Sequence, residues 1–281
     1  MRPTLLLMST CFVVSAVVAD DASGPARNER PAQASIRKLA EDMEVRLVDD
    51  SDEALRRASL RPEPLLSYGD ETRNIGESAL WVWMDRDQPV LLQKIEVNNW
   101  SLKYPQWTFC LGSFSETPLS ISLNGEVSLP AIQTVGNVFH PVPGSPASGA
   151  SPVTWPLQAR DLIRSFSVDA FNGKKRSELR LMPKPLLDYR APEQGVLYGG
   201  IFGFAAGTNP DTLVQICLRQ DASGDRNWHY AILPMTSGRI VVTHNGESIA
   251  EPAVQRSYEV STWGYFYVRR NAANPIQVPE K

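Results

Sequence analysis

Few residues in this chain have the spacing that catalysis or metal binding needs. Its three histidines, His140, His229 and His244, form no metal-ligand spacing with one another or with a cysteine. As a general base, His229 would need a carboxylate to orient it, and Asp188 is the residue that we consider for this role. The simpler interpretation of His229 is a solvent-facing histidine on a strand. We predict no metal and no cofactor, and we keep a hydrolase with a scattered site near His229 and Asp188 as one hypothesis.

Two segments of the chain align without a gap at an offset of 121 residues. Residues 60–126 and 181–247 share 13 identities in 67 positions, and several of the substitutions between them are conservative. Residues that both segments keep are most simply part of the fold. Residues that only one segment carries are where a specific function could lie.

A helix is predicted before each aligned segment, and strands are predicted within it. Apolar residues recur at the spacing i, i+3, i+4 and i+7 from Ile36, after a candidate N-cap at Ser35, and again from Ala159. The segments then turn to β-branched and aromatic runs that are bounded by Gly, Pro, Asn and Asp, with Asn-Gly pairs at 124–125 and 245–246 as hairpin turns. We therefore predict an α+β fold with a tandem internal duplication, in which each copy is one helix plus a curved, mostly antiparallel sheet.

The same patterns divide the chain into six regions. A stretch with five prolines, two glycines and three serines separates the two copies and has the composition of a linker. The predicted regions are a signal peptide (1–19), a disordered leader (20–34), copy 1 (35–140), the linker (141–156), copy 2 (157–271) and a polar tail (272–281).

The N-terminus is typical of an exported protein. Arg2 supplies a positive charge, residues 5–18 form an uncharged and mostly apolar run, and the small residue Ala19 precedes Asp20. We predict cleavage after Ala19, a periplasmic or extracellular location, and no membrane span after cleavage. An uncleaved anchor is the alternative, although the run is shorter than the ~20 apolar residues that a span needs.

Composition and charge argue against two classes of partner. The net charge is −3, from 28 basic and 31 acidic residues that are spread along the chain. This distribution lacks the basic surface that a nucleic acid or an anionic membrane attracts. Export permits a disulfide between Cys110 and Cys217, but two cysteines make no disulfide framework, and buried thiols are the expected state.

Three tryptophans lack an aromatic counterpart at the aligned position: Trp100, Trp155 and Trp263. Trp100 shares the connection 98–105 with Tyr104, whereas the aligned connection in copy 2 is polar and charged. Such a loop could stack on a sugar ring or anchor a protein partner. It could equally fold back over the core.

Glycines are unusually frequent at one place in copy 2. Gly199, Gly200 and Gly203 align with larger residues in copy 1 and lack the context of a phosphate-binding loop. We consider two interpretations of these glycines: a local hollow that copy 1 fills, or a close approach of neighbouring groups in a filled core.

Part of copy 2 resembles a known sequence pattern. The stretches Arg160-x-x-x-Arg164-x-Phe166-Ser167, 179–189 and 200–210 carry it, and the resemblance covers roughly 157–250. The pattern is similar to that of an uncharacterised family of exported proteins that are common in planctomycete-type bacteria. The resemblance implies export and brings no activity or catalytic residue.

The sequence therefore favours a binding function over a catalytic one. Our first hypothesis is an exported, non-catalytic binding or assembly module, which contacts a protein or glycan at the cell envelope through Trp100 and Tyr104. The alternatives are a carbohydrate-binding module that uses unpaired tryptophans, Trp155 among them, and the hydrolase near His229 and Asp188.

Overall fold

The protein is mostly β. The computed structural model describes residues 31–49, 54–98, 106–123, 129–134, 136–146, 151–256 and 265–271. Strands make up 57% of the structure and helices 12%, with two α-helices among the described residues, so the predicted α+β class with one helix and one sheet per copy is wrong. The physical reason is that each helix has only 9 or 11 residues, and the sheets bury much of their apolar surface against each other.

The described elements follow one another as a long run of strands with one α-helix before each half. The first half contains α1 (Pro31–Glu41), β1 (Met43–Val48), β2 (Ala54–Arg57), β3 (Ser59–Leu60), β4 (Leu66–Asp70), β5 (Ile75–Asp85), β6 (Gln88–Asn98), β7 (Gln106–Ser113), β8 (Leu119–Leu123), β9 (Leu129–Gln133) and β10 (His140–Pro141). The second half contains α2 (Trp155–Ile163), β11 (Phe166–Asn172), β12 (Lys175–Leu181), β13 (Leu187–Ala191), β14 (Val196–Ala205), β15 (Pro210–Gln220), β16 (Arg226–Pro234), β17 (Arg239–His244), β18 (Glu247–Ala250) and β19 (Tyr265–Asn271).

The two halves divide their strands differently between sheets. The first half forms a four-stranded sheet in the order β2-β1-β8-β9 and supplies most of a six-stranded sheet in the order β19-β7-β6-β5-β3, with β4 also on β5. The second half supplies most of a nine-stranded sheet in the order β10-β16-β15-β14-β12-β11-β17-β18, with β13 also on β14. The difference lies at β12, which pairs with both β11 and β14, whereas the corresponding stretch of the first half is broken into β2 and β3 at Ala58.

Each half also gives a strand to the sheet of the other half. The short strand β10 pairs with β16, and β19 pairs with β7 over seven residue pairs, from Tyr265 with Gly112 to Asn271 with Gln106. Two halves that exchange strands in this way form one interlocked body.

Three apolar clusters hold the layers together. In the first, α1 packs on the six-stranded sheet through Ile36 and Ala40, and in the second, α2 packs on the nine-stranded sheet through Ala159 and Ile163. The third lies between the two sheets and contains residues of both halves, such as Leu92 and Leu213. We call this third cluster the intersheet layer. β5 carries apolar side chains on both of its faces, so we expect both faces to be buried. The intersheet layer buries the second face.

Local details agree with the sequence in part. Asn245 and Gly246 form the turn between β17 and β18 with φ values of 50° and 84°, as the predicted hairpin requires. The Asn-Gly pair at 124–125 lies outside the described residues. Helix α1 begins at Pro31, four residues before the predicted N-cap Ser35, because the fixed φ of proline suits the first turn of a helix.

Candidate ligand-binding site

A cleft of about 640 Å³ opens beside the intersheet layer, and both halves line it. The first half contributes residues of β6 and β7 and the turn Glu71–Arg73, and the second half contributes the β11–β12 hairpin and the connections before β15 and β17. Most of the lining side chains carry a charge, an amide or a hydroxyl. Among these are Arg73, Lys94, Glu96, Asn98, Thr108, Lys175, Asn209, Asp211, Ser237 and Arg239.

A buried lysine forms the floor of the cleft. Lys94 is 2% exposed, and its Nζ donates hydrogen bonds to the backbone carbonyls of Pro210 at 3.2 Å and Met235 at 2.6 Å. The same nitrogen donates to Oδ1 of Asn209 at 2.9 Å and lies 3.4 Å from Oε1 of Glu96. All three ammonium hydrogens therefore have acceptors, and three of the four contacts cross from the first half to the second.

A tyrosine completes this floor. The hydroxyl of Tyr68 donates to Oε1 of Glu96 at 2.9 Å and lies 3.1 Å from Oδ1 of Asn209. Burial, and then the neighbouring Glu96 carboxylate, raise the pKa of Tyr68 well above its ordinary value. Burial is the largest single effect on the pKa of Lys94 and lowers it, but the attractions of Glu96, Cys110 and Asp211 together outweigh burial, and the net shift is upward. The lysine is therefore held as a cation and the tyrosine as a neutral donor.

An ion pair joins the halves beside this floor. The Arg73 guanidinium donates two hydrogen bonds to the Asp211 carboxylate, at 2.6 and 2.7 Å. The Asp211 side chain is 3% exposed and that of Arg73 is 32% exposed. The hydrogen bonds to Asp211 are the largest contribution that raises the pKa of Arg73. This bidentate geometry fixes the orientation of both side chains at the edge of the cleft.

We call this group of Tyr68, Lys94, Glu96, Asn209 and Asp211 the Lys94 end of the intersheet layer. The positions that align with its first three residues at the offset of 121 are Tyr189, Gln215 and Cys217, which we call the Gln215 end. There the amide Nε2 of Gln215 donates to the hydroxyl of Tyr189, and Cys217 is a fully buried thiol. Aligned positions thus carry an ionic set at one end and an uncharged set at the other.

The cleft lies where side chains at the Lys94 end are smaller than their aligned counterparts. At the Gln215 end, Arg219 pairs with Glu116 at 3.1 and 2.7 Å, and its guanidinium lies 5.0 Å from the centre of the Phe139 ring. These larger groups occupy the positions that correspond to the lining of the cleft. The aligned pairs are Asn98 with Arg219, Thr108 with His229 and Ser237 with Glu116.

Among the described residues, the structure does not bring the sequence-predicted site residues together. Trp100 and Tyr104, the anchors of the first hypothesis, lie outside the described residues, as does Trp263. Trp155 is described, and it is a buried residue of α2, with the Arg190 guanidinium 5.9 Å from its ring centre. A buried ring offers no exposed face for a sugar, so Trp155 is part of the core.

His229 and Asp188 point to opposite faces of the nine-stranded sheet. Directly paired residues of antiparallel strands share a face, and Asp188 pairs with Gly200, which pairs with Ile216 in the cluster of α2. His229 instead pairs with Cys217, which belongs to the intersheet layer. This separation excludes a direct hydrogen bond between the imidazole and the carboxylate that the hydrolase hypothesis requires.

Each of these two residues has a local partner instead. His229 Nδ1 lies 3.1 Å from the carbonyl oxygen of Asn227, and burial is the main cause that lowers the pKa of the imidazole. The hydroxyl of Tyr198 donates to Oδ1 of Asp188, and burial followed by this hydrogen bond raises the pKa of Tyr198. Both arrangements stabilise the sheet locally.

The glycines of β14 leave no hollow. A Cβ atom on Gly199 would lie 2.1 Å from the ring of Tyr189, and one on Gly203 would lie 2.7 Å from Sδ of Met182. Neighbouring side chains therefore occupy the space above these glycines. The interpretation as a close approach in a filled core is confirmed, and the hollow is wrong.

Sequence reasoning missed the residues that line the cleft. The sequence carried one signal for these residues. Lys94 and Glu96 are charged residues within the otherwise apolar strand β6, and they align with the uncharged Gln215 and Cys217. They are therefore residues that only one segment carries, which is where a specific function could lie. Among the described residues, no group of three or more His, Cys, Asp or Glu side chains is placed to hold a metal ion.

Comparisons with known proteins give no match. No family model, no curated protein and no solved structure is significantly similar to this chain. The resemblance to exported planctomycete-type proteins therefore stays a prediction.

Proposed function

We propose that the protein is a binding module that takes a small polar ligand in the cleft between its two sheets. The observation that carries this proposal is the contrast at aligned positions, where Asn98, Thr108 and Ser237 leave a cleft and larger side chains stand at the Gln215 end. A cavity of this volume with many hydrogen-bonding groups suits a ligand of the size of a sugar or a small acid.

The floor residues support a binding role more than a catalytic one. Lys94 and Glu96 contact each other, and Arg73 and Asp211 do the same, so each charged group already has an opposite partner within 3.4 Å. Such pairs hold the cleft in a preformed shape, and a preformed site loses less conformational entropy when a ligand binds.

A thermal-shift screen with sugars, amino acids, carboxylic acids and sugar phosphates tests the proposal. We expect at least one compound to raise the melting temperature of the wild-type protein, because a ligand that binds only the folded state stabilises it. Ser237→Trp, which places a large ring in the cleft, should weaken that ligand by at least about tenfold.

Glu116→Trp is the matched control, because Glu116 is the aligned position at the Gln215 end and is exposed. It should leave the affinity unchanged. The triple variant Asn98→Arg/Thr108→His/Ser237→Glu transfers the larger set to the Lys94 end and should also abolish binding. A screen without a hit, or a hit that Ser237→Trp leaves intact, would overturn the proposal.

We further propose that the module acts after export, with its mature chain beginning at Asp20. The support is the charge and hydropathy pattern of residues 1–19. No helix among the described residues is long and apolar enough to cross a membrane. N-terminal mass spectrometry of the protein from a fractionated bacterial host tests the proposal, and a chain that keeps Met1 in the cytoplasmic fraction would contradict it.

A further inference from the structure

An amine and a carboxamide lie in contact at the Lys94 end, where the two halves meet. Nζ of Lys94 is 2.9 Å from Oδ1 of Asn209, and a C=O bond is about 1.23 Å long, so the carbonyl carbon Cγ lies within about 4 Å of the amine nitrogen. Lys94 belongs to β6, the central strand of the six-stranded sheet, and Asn209 immediately precedes β15 of the other sheet. A bond between Nζ and Cγ would therefore join the two halves.

The contact is buried, and packing holds its members in place. Lys94 is 2% exposed, Asn209 is 4% exposed and Glu96 is 6% exposed. Side chains in a close-packed interior keep their positions, so the amine and the amide stay together for the life of the fold. Well-oriented groups that are held in this way react as if at effective concentrations of roughly 10⁵–10⁸ M. A reaction between an amine and an amide, which is very slow in solution, becomes feasible here.

A carboxylate is placed to take the proton that the amine must lose. An ammonium has no lone pair and is no nucleophile, so Lys94 must first become a neutral amine. Oε1 of Glu96 lies 3.4 Å from Nζ, and transfer of one proton to it removes both charges, each of which burial disfavours. The carbonyls of Pro210 and Met235, at 3.2 and 2.6 Å from Nζ, hold the two remaining hydrogens. The lone pair then has the third direction, toward Asn209.

A tyrosine is placed to polarise the amide. The hydroxyl of Tyr68 lies 2.9 Å from Oε1 of Glu96 and 3.1 Å from Oδ1 of Asn209. The hydroxyl donates to Glu96 while that group is ionised, and it is released to donate to Oδ1 once Glu96 carries a proton. A donor on Oδ1 stabilises the negative charge that develops there when the amine attacks Cγ. One proton transfer to Glu96 therefore activates both reactants.

The aligned positions at the Gln215 end lack the reactive groups. The aligned pairs are Lys94 with Gln215, Glu96 with Cys217 and Asn209 with Gln88. The Gln215 end therefore has neither the amine nor the carboxylate at these positions, although its fold is the same. Burial of an ion pair is costly, and the fold does without one at the Gln215 end. The charged set thus points to a role that the fold itself does not require.

From this arrangement we infer that Nζ of Lys94 attacks Cγ of Asn209 and forms an isopeptide bond between the two halves, with Glu96 as the proton carrier. The Nζ–Cγ bond forms, and the Cγ–Nδ2 bond breaks. Glu96 takes one proton from Nζ before the attack, then gives it to Nδ2 and takes the second proton from Nζ, so that Nδ2 leaves as ammonia. The ammonia takes the last proton from Glu96, which becomes a carboxylate again.

The net reaction converts an ammonium and a primary amide into a secondary amide and an ammonium ion, so it needs no oxidant and no further reactant. The distances given above are those of the reactants. The product ammonia has a path to solvent, because Lys94, Glu96 and Asn209 all line the cleft. The inference goes beyond the proposed function, since no ligand takes part in the reaction.

Peptide mapping of the full-length protein tests the inference. Trypsin does not cut after an acylated lysine, so we expect the peptide 87–103, uncut at Lys94, joined to the peptide 191–219 with a mass lower by one ammonia. Tandem mass spectrometry then places the bond on Lys94 and Asn209. Cleavage after Lys94 together with a free peptide 191–219 would overturn the inference. A link from Lys94 to Asp211, with loss of water instead of ammonia, would overturn it as well.

Glu96→Gln tests the proton carrier, because the amide has a similar size and cannot accept the proton. It should lower the linked fraction of the purified protein by about tenfold or more. Asn98→Ala is the matched control, since Asn98 is another buried asparagine of β6 and its amide donates to Thr108 instead. The control should stay linked, and circular dichroism checks that both variants fold. Glu96→Gln that is linked as fully as the wild type would refute the role of Glu96.

Intact mass spectrometry of the denatured protein gives a second readout that requires no digestion. The wild type should be lighter than its processed sequence by one ammonia, whereas Asn209→Ala, which keeps Lys94 and Glu96, should have the mass of its sequence. A wild-type chain at its full sequence mass would reduce these residues to a hydrogen-bonded tie between the halves. A ligand screen without a hit would count against the proposed function and leave this inference standing.

Discussion

At the Lys94 end of the intersheet layer, the hydroxyl of Tyr68 donates to a carboxylate, whereas at the Gln215 end the aligned Tyr189 accepts a hydrogen bond from an amide. The strand pairing is the same in both places, since Tyr68 pairs with Ser78 and Tyr189 with Gly199 on the next strand. One backbone arrangement therefore accommodates either an ionic or an uncharged set of side chains.

The comparison indicates that the ionic set is a specific feature of one end. Burial of charges costs several kcal/mol per ion before pairing, and an uncharged set of similar size is often as stable. The Gln215 end shows that the fold accepts such a set. The charges of the Lys94 end thus coincide with the cleft and with the contacts that join the halves.

The largest effect is expected for Lys94→Gln, which gives the Lys94 end the residue of the other end. The free energy of unfolding should fall by about 3–5 kcal/mol, because Glu96 stays buried without its cation. Urea denaturation measures the change, and Gln215→Met is the control, expected to cost about 1 kcal/mol through one lost hydrogen bond. Equal losses at the two ends would break the comparison.

The second-largest difference in the free energy of unfolding is expected between variants of Arg73 and Arg219, the two arginines whose ion pairs join the halves. Arg73→Gln leaves the carboxylate of Asp211 buried and unpaired and should cost about 2–3 kcal/mol. Arg219→Gln removes a pair whose side chains are 26% and 48% exposed, and it should cost less than about 1 kcal/mol. Chemical denaturation of both variants in one buffer decides the matter, and a larger loss for Arg219→Gln would refute the ranking.

The tyrosine hydroxyls provide a finer test. Tyr68→Phe removes a hydrogen bond to an ionised carboxylate and should cost about 1.5–3 kcal/mol, and Tyr189→Phe removes a neutral one and should cost about 0.5–1.5 kcal/mol. The double variant shows whether the ends are independent, since distant sites add within about 0.5 kcal/mol. Coupling beyond that would mean that the intersheet layer acts as one unit.

The smallest expected effect is a pH dependence from the Gln215 end. Burial raises the pKa of Cys217 from 9.0 to about 12, so the thiol ionises first in the unfolded chain. Its stabilising contribution is complete below pH 9 and is lost as the pH rises from 9 toward 12. Between pH 8 and 10 the free energy of unfolding should fall by roughly 1 kcal/mol. The decline should be shallower in Cys217→Ala, and an unchanged decline would assign it to other groups.

Local signals predicted the strands well and the class of fold poorly. Alternating and β-branched runs predict strands at about 79–85, 90–97 and 106–114, and β5, β6 and β7 lie there with ends that differ by at most four residues, because strand periodicity is a local property. The predicted fold class was wrong because the prediction gave two short amphipathic helices the same importance as the sheets. Only the three-dimensional packing shows that one sheet covers the other and that β19 joins the sheet of the first half.

The sequence by itself determined the aligned segments, their strands and turns, and the positions at which the segments differ. The tertiary structure alone decided that Lys94 meets Asn209, 115 residues further along the chain, and that His229 and Asp188 face apart. The physical reason is that periodicity sets which side of a strand a residue occupies, whereas its partner across the intersheet layer depends on how two sheets pack.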